Sequence, residues 1–539
     1  MGSGLAFGRP AGAVADPRAG IAAVMCAAAV VVLLPMTLLA QGRSFDLLAA
    51  SIGDIQDAVS SGALTYERLV QLYLRRIDAY DRRGPTLRAV IEVNPHALDL
   101  ARALDAERRD RGPRGPLHGI PIAIKDNVDV KDVASAGGCE AFAGALPLRD
   151  ATIVERLRQA GAIPFIKTNM DELALGAQGL SSLGGQIRNP YDLTRNPGGS
   201  SGGTGVAVNV GFAAVGVATE TGMSIRSPAS NNALVGIAPT RGLVSRAGVI
   251  PNSFTQDRVG VHAKSVTDAA LLLTVLRGFD PDDLATADSL GQVEARAYTD
   301  FTARRLDGVR IGVLRDLFRQ GPEFSEGNAI VDARLTTFRE LGATVADRLS
   351  TGEDLVAAMP TLRVTSFELR PAFDAYVERR GPGSPVRSLA GLVASGRFLH
   401  DPAVSSTLTE AMAVAPLDGN VEYHARLERQ RSIRRRLIDL MDAQHVDALV
   451  YPAKALGAPP IGVTDRGPRD NPISAVTGLP AFVVPAGMNR EGLPIALEIL
   501  GRPFAEPMLV RIASAYERAS HARVAPTLAP PLPGDVFTY

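Results

Sequence analysis

A chain of 539 residues with 57 basic and 57 acidic side chains has no net charge, and at 21% charged residues it offers no basic face for nucleic acid and no acidic tail. It exceeds the length of a typical single domain, yet no Pro/Gly/Ser-rich linker and no repeat divides it. Its two cysteines, Cys26 and Cys139, exclude a disulfide framework, and with no Cys/His cluster at metal-ligand spacing the reading calls for no metal and no cofactor.

In chain order, residues 19–42 carry no charge, follow Arg9 and Arg18, and contain the apolar run IAAVMCAAAVVVLLPMTLLA. Such a run serves export or membrane insertion. Residues 1–43 are therefore expected to be a signal peptide ending near Ala40 or an uncleaved anchor attaching the protein to a membrane. Either places the protein in the periplasm or outside the cell, whereas a start at Met36 leaves it in the cytoplasm. Cys26 is not in a good lipobox, and with this segment removed Cys139 has the expected role of a small buried thiol. Residues 44–539 are expected to form a single catalytic domain.

Tyr66, Leu69, Val70, Tyr73, Leu74 and Ile77 form an i, i+3, i+4 stripe that predicts a helix beginning near Thr65. Residues 120–124 read as a buried strand with Lys125 at its end. Residues 151–162 read as a helix running into a strand at 163–166. Further strands are predicted at 309–314, 445–451 and 493–500, and helices at 331–341 and 422–444. This alternation argues for an α/β sheet covered by helices. Between them, Phe367, Leu369, Phe373, Tyr376, Leu389, Leu392 and Phe398 fit either a substrate entrance or the core of an insertion, the latter being the commoner role of such residues. Six arginines at 426–436 on the long helix read as a solvated face with ion pairs.

Residues 196–228, NPGGSSGGTGVAVNVGFAAVGVATETGMSIRSP, hold more glycine and serine than a packed core needs, with serines at Ser200, Ser201 and Ser224. A serine hydroxyl is a weak nucleophile until a base takes its proton, and a lysine serves as that base only when burial lowers its pKa. Lys125, at the end of an apolar strand, suits this; the chain has only five lysines among its 57 basic residues, so arginine, which cannot be deprotonated, is its default cation. The glycines do not make a phosphate loop, because no lysine follows them. Gly198 to Gly202 also satisfies GxSxG, the elbow of α/β-hydrolases, but His262, His400, His424, His445 and His521 lie in no recognisable context for that triad.

GIPIAIKDN, GGSSGG and ETGMSIRSPAS, in that order and with 99 residues from Lys125 to Ser224, resemble the amidase signature family of serine hydrolases, as does TGLPAFVVPAG at 477–487. The resemblance implies a large mixed central β-sheet with helices on both faces. It implies that Ser224 is the acylated nucleophile, that Ser200, joined to Gly199 by a cis peptide bond, bridges, and that Lys125 is the base. Ser201 is then expected to hydrogen-bond and orient the lysine. The backbone N–H groups of Thr221, Gly222, Met223 and Ser224 are expected to form an oxyanion hole. Met223 stands where many members have glycine, and Glu220 where aspartate is commoner.

The expected activity is hydrolysis of the C–N bond of neutral amides, with aryl amides, carbamates and esters as candidate substrates, through an acyl-enzyme. An acyl side bordered by Met223 and Ala218 is expected to favour an apolar or aromatic group beside the carbonyl and to take free glutamine poorly. The partner is a small-molecule amide, with no nucleic acid and no metal; the reading admits a homodimer. The alternatives are a glutamine amidase subunit of an amidotransferase, an α/β-hydrolase-type esterase, and an inactive scaffold of the same fold.

Overall fold

Helix α1 (Tyr66–Arg76) forms where the sequence supplies both a cap and an apolar stripe. The Thr65 hydroxyl accepts the Arg68 N–H at 3.0 Å, and Tyr66, Leu69, Val70 and Tyr73 are buried. The helix widens into a π-helical segment over Ile77–Arg82, so the predicted stripe ends one residue before Ile77. This computed structural model describes residues 43–464, 467–469 and 471–539. The predicted export or anchor segment lies outside the described residues.

The central sheet contains, among the described residues, β1 (Val90–Val93), β2 (Pro121–Lys125), β3 (Ile163–Thr168), β4 (Val215–Glu220), β5 (Val235–Ala238), β6 (Arg258–Ala263), β7 (Arg310–Leu314), β8 (Thr344–Leu349), β9 (Ala448–Lys454), β10 (Ala481–Met488) and β11 (Pro494–Gly501). Their order is β8-β7-β9-β11-β10-β5-β6-β4-β2-β3-β1. The pairs β8–β7, β7–β9, β4–β2 and β2–β3 are parallel, and those between β9 and β4 are antiparallel. The sheet is therefore mixed, as the resemblance implied. Strands β2, β3 and β4 are buried at every residue, which requires cover on both faces.

Helices α2 (Thr152–Gln159), α3 (Gly202–Asn209), α4 (Arg226–Asn231), α5 (Ser325–Glu340), α6 (Leu355–Leu362), α7 (Thr365–Arg380), α8 (Leu389–Ser395), α9 (Pro402–Ala413), α10 (Val421–Ala443) and α11 (Glu506–Ser520) flank it. Two glycines let α3 lie against the sheet. A Cβ on Gly203 would fall 2.2 Å from the Asn169 carbonyl oxygen, and one on Gly216 2.4 Å from Thr204 Cγ2. The strand predicted at 445–451 begins instead at Ala448, because α10 closes at Ala443 and His445 adopts a left-handed φ of 51°. The ladder cannot start until the chain has made that turn.

Leu369, Phe373, Tyr376, Leu389 and Leu392 pack with Phe142 and Ile250 into a separate apolar cluster. They are core residues shared by α7, α8 and α9, the commoner of the two roles. Five of the six arginines of α10 pair with acids: Arg426 with Glu422, Arg431 and Arg435 with Glu428, and Arg429 and Arg436 with Glu353, while the half-buried Arg434 donates to the Thr477 carbonyl at 2.9 Å. Cys139 is fully buried, and burial pushes its thiol pKa up. Among the described residues no helix is long and apolar enough to cross a membrane.

Candidate active site

The site lies at the carboxyl ends of the parallel pair β2 and β4, where open α/β sheets leave a crevice. Lys125 is the last residue of β2, and β4 ends at Thr219-Glu220. Lys125 is fully buried, and its Nζ donates to Ser200 Oγ at 2.7 Å, Thr219 Oγ1 at 2.9 Å and the Thr219 carbonyl at 3.2 Å. Burial lowers its pKa to about 7, against the opposing pull of Asp171, Asp257 and Glu220. Half of such a population is neutral near pH 7, the condition a base must meet.

The peptide bond between Gly199 and Ser200 is cis. Asp171 fills the space beside Gly199, where a Cβ would lie 2.0 Å from its Oδ2. The same carboxylate accepts the N–H groups of Gln178 and Gly179, and the Asp171 N–H donates to the Ser200 carbonyl at 3.1 Å. The two serine-bearing segments meet through the Ser201 N–H, which donates to the Ser224 carbonyl at 3.3 Å. Ser201, expected to bond the lysine directly, instead donates its hydroxyl to the Thr219 carbonyl at 3.1 Å. It reaches Lys125 only through that shared acceptor, because the hydroxyl turns toward β4.

Ser224 sits in the turn between β4 and α4. Glu220 shapes this turn by accepting the N–H groups of Ile225 and Arg226, at 3.0 and 3.2 Å. Arg226 returns to the turn through the Gly222 carbonyl at 2.6 Å, and its Nη1 donates to both carboxylate oxygens of Glu498 at 2.9 Å. Burial raises a carboxyl pKa, but Arg226 and Arg258 overcome this and hold Glu220 down at about 2. Among the described residues, the N–H groups of Thr221, Gly222, Met223 and Ser224 have no acceptor within the protein. All four residues border the cavity beside Ser224, where the donors of an oxyanion hole would be needed.

That cavity is about 230 Å³ and is bordered by Gly199, Met223 and Ser224 on the sheet side and by Arg363, Glu410 and Arg426 on the helical side. The cavity is not poor in charge, since Arg363, Glu410 and Arg426 line it, and Ala218, expected to border the acyl side, is instead buried against Ile225 and Ala238. The reading of residues 426–436 as solvated holds for the exposed arginines but not for Arg426 or Arg434. Met223 borders the cavity at 6% exposure, its sulfur accepting the Asn471 N–H at 3.3 Å. His262 contacts the Ile225 carbonyl at 2.7 Å, while the side chain beside Ser200 is the Lys125 amine.

Residues the sequence reading passed over include Arg226, Arg258, Glu498, Asp171 and Thr219. One signal was present: within 196–228 the only charges are Glu220 and Arg226, of opposite sign and six apart. Nothing in the sequence pointed to Glu498, which lies 272 residues from its partner.

A model of the amidase family matches residues 68–510. The native peptide amidase of Stenotrophomonas maltophilia superposes with a TM-score of 0.81 at 38% identity, covering 89% of this chain and 99% of that one. A probable amidase of Arabidopsis thaliana is 33% identical over 500 residues, 90% of this chain and 92% of its own length. A glutamyl-tRNA(Gln) amidotransferase subunit of Chloroflexus aurantiacus is 35% identical over 488 residues, 86% of this chain and 95% of its own. With the mixed sheet and the lysine–serine contact already in view, these matches establish that the chain belongs to the amidase family.

Proposed function

We propose that this amidase cleaves the C–N bond through an acyl-enzyme on Ser224, with Ser200 as relay and Lys125 as base. Neutral Lys125 takes the Ser200 proton as Ser200 takes that of Ser224, and Ser224 Oγ attacks the amide carbonyl. The negative charge on the carbonyl oxygen falls among the N–H groups of Thr221, Gly222, Met223 and Ser224. On collapse the C–N bond breaks and the proton returns through Ser200 to the departing amine. Water then attacks the ester and releases the acid. The observation that carries this reading is the fully buried Lys125 within 2.7 Å of Ser200 Oγ.

For the substrate, we take the polar wall of Arg363, Glu410 and Arg426 to favour an acyl group that itself carries polar groups, as an aminoacyl or peptidyl amide does. The similarity to a peptide amidase supports the same choice. The test is one experiment on purified protein: a panel of peptide amides, fatty amides, aryl amides, carbamates, esters and glutamine, with fluorophosphonate labelling, on the parent and Ser224→Ala. Peptide amides are expected to give the highest kcat/KM, and Ser224→Ala to lose labelling and about 10⁴-fold or more of kcat. Labelling that survives in Ser224→Ala overturns the nucleophile assignment, and a preference for fatty amides overturns the substrate class.

A further inference from the structure

We propose that Gln256 is a positioning residue whose buried amide couples the corner between α6 and α7 to the peptide unit that presents the Gly222 N–H to the reacting carbonyl oxygen. This rests on the reading of residues 221–224 as oxyanion donors. Gln256 is fully buried, just before β6. Its Nε2 donates to the Thr221 carbonyl at 2.9 Å, and its Oε1 accepts the Val364 N–H at 2.8 Å. Gln430 Nε2 approaches the same oxygen at 3.4 Å and is anchored on the Leu362 carbonyl at 2.6 Å. The Thr221 carbonyl only accepts and the Val364 N–H only donates, so the amide has one orientation. Turning it over forfeits both bonds.

A trans peptide unit is planar, with its C=O and N–H pointing opposite ways. Fixing the Thr221 carbonyl on Gln256 therefore aims the Gly222 N–H in the other direction. A hydrogen bond to the carbonyl also polarises the unit and makes that N–H a better donor. The Thr221 hydroxyl, bonded to Asp257 Oδ1 at 2.5 Å, holds the preceding side of the unit. At the other end of the Gln256 amide, Val364 lies between Arg363 and Thr365, both of which line the cavity. The Arg363 guanidinium packs over Gly222, 2.7 Å from where a Cβ would stand. The corner that meets the substrate and the peptide unit that meets its transition state are thus tied by one side chain.

The consequence is a change in kcat with little change in KM, because the oxyanion exists only in the transition state. Gln256→Leu removes both bonds, and Gln256→Glu keeps the acceptor for Val364 while facing the Thr221 carbonyl with a carboxylate oxygen. Each is expected to lower kcat on a peptide amide by about 10- to 100-fold with KM within two-fold. Affinity for the matching peptide aldehyde, which forms a tetrahedral adduct on the nucleophile, should fall in parallel, while that for the peptide alcohol stays at the parental value. Gln430→Leu, at the periphery of the same network, is expected to lower kcat by less and with the same signature. Parental kcat in all three variants overturns the inference, as does an alcohol affinity that falls as far as the aldehyde's. Should Ser224→Ala lose labelling while the Gln256 variants keep parental kcat, this inference alone fails; labelling that survives in Ser224→Ala removes the reading beneath it.

Discussion

Two lysines occupy neighbouring parallel strands, and they differ in whether a carboxylate touches the amine. Lys125 ends β2 and Lys167 lies in β3, in a register that pairs Lys125 with Thr168 and Ile124 with Lys167. Residues paired across parallel strands share a face and successive ones alternate, so the two amines leave the sheet on opposite sides. Both are buried, and each donates to hydroxyl and carbonyl oxygens. Lys167 bonds the carbonyls of Asp126 and Val128 and the Ser135 hydroxyl, at 3.2, 2.7 and 2.6 Å. It also pairs with the Asp126 carboxylate at 3.3 Å, whereas the three bonds of Lys125 go to neutral oxygens. Burial lowers both pKa values against carboxylates, which at Lys167 include the Asp126 group in direct contact and at Lys125 are those of Asp171, Asp257 and Glu220. The two buried amines thus differ in what they touch: hydroxyls and a carbonyl alone at Lys125, and a carboxylate besides at Lys167.

The sharpest way to break this comparison is to remove each amine. Lys125→Ala should cost about 10²- to 10⁴-fold in kcat/KM, the range for losing a positioned base. The parent profile should carry a limb near pH 7: Lys125 is protonated below it, so activity falls tenfold per pH unit there, and it levels off above. Lys125→Ala should lose that limb. Lys167→Met should keep the limb and lose stability instead, because it strands the Asp126 carboxylate in the interior, at a cost of about 3–5 kcal/mol. Pre-steady-state kinetics between pH 5 and 9, with thermal unfolding on the same variants, read both. A Lys167→Met protein that is stable but has lost the limb reverses the assignment.

Much of this was legible beforehand, and what was not has a common physical cause. The helix at Thr65, the strand ending in Lys125 and the helix-to-strand unit read at 151–166 follow from periodicity and caps, which are local. The serine motif was readable because small residues and glycines crowd where α3 must lie against Gly216 and Asn169. The Arg226–Glu498 and Lys167–Asp126 pairs were not, since a charge does not state which distant charge it will meet. The polar wall of the cavity escaped for another reason. In α6 and α7 the apolar residues draw the eye, yet they make the core, while Arg363, Thr365 and Ser366 between them face the site. Strand β9 slipped by three residues because a left-handed His445 interrupts an apolar run that reads as continuous.

The smallest expected effect tests the finest part of the comparison, the Thr219 carbonyl that Lys125 shares with Ser201. That oxygen accepts the Ser201 hydroxyl at 3.1 Å and the lysine amine at 3.2 Å. A carbonyl already accepting one hydrogen bond is a weaker acceptor for a second, so the Ser201 hydroxyl takes support from the ammonium form and favours the neutral amine. Ser201→Ala leaves the carbonyl to Lys125 alone, and the protonated form gains. The limb should therefore move to higher pH. At pH 6 the variant should lose about three- to ten-fold in kcat/KM, the equivalent of one hydrogen bond of about 1 kcal/mol, and at pH 9, where the amine is neutral in both proteins, it should regain the parental rate. A deficit of equal size at both pH values shows instead that Ser201 fixes the position of the lysine, and that the shared carbonyl has no part in setting its charge.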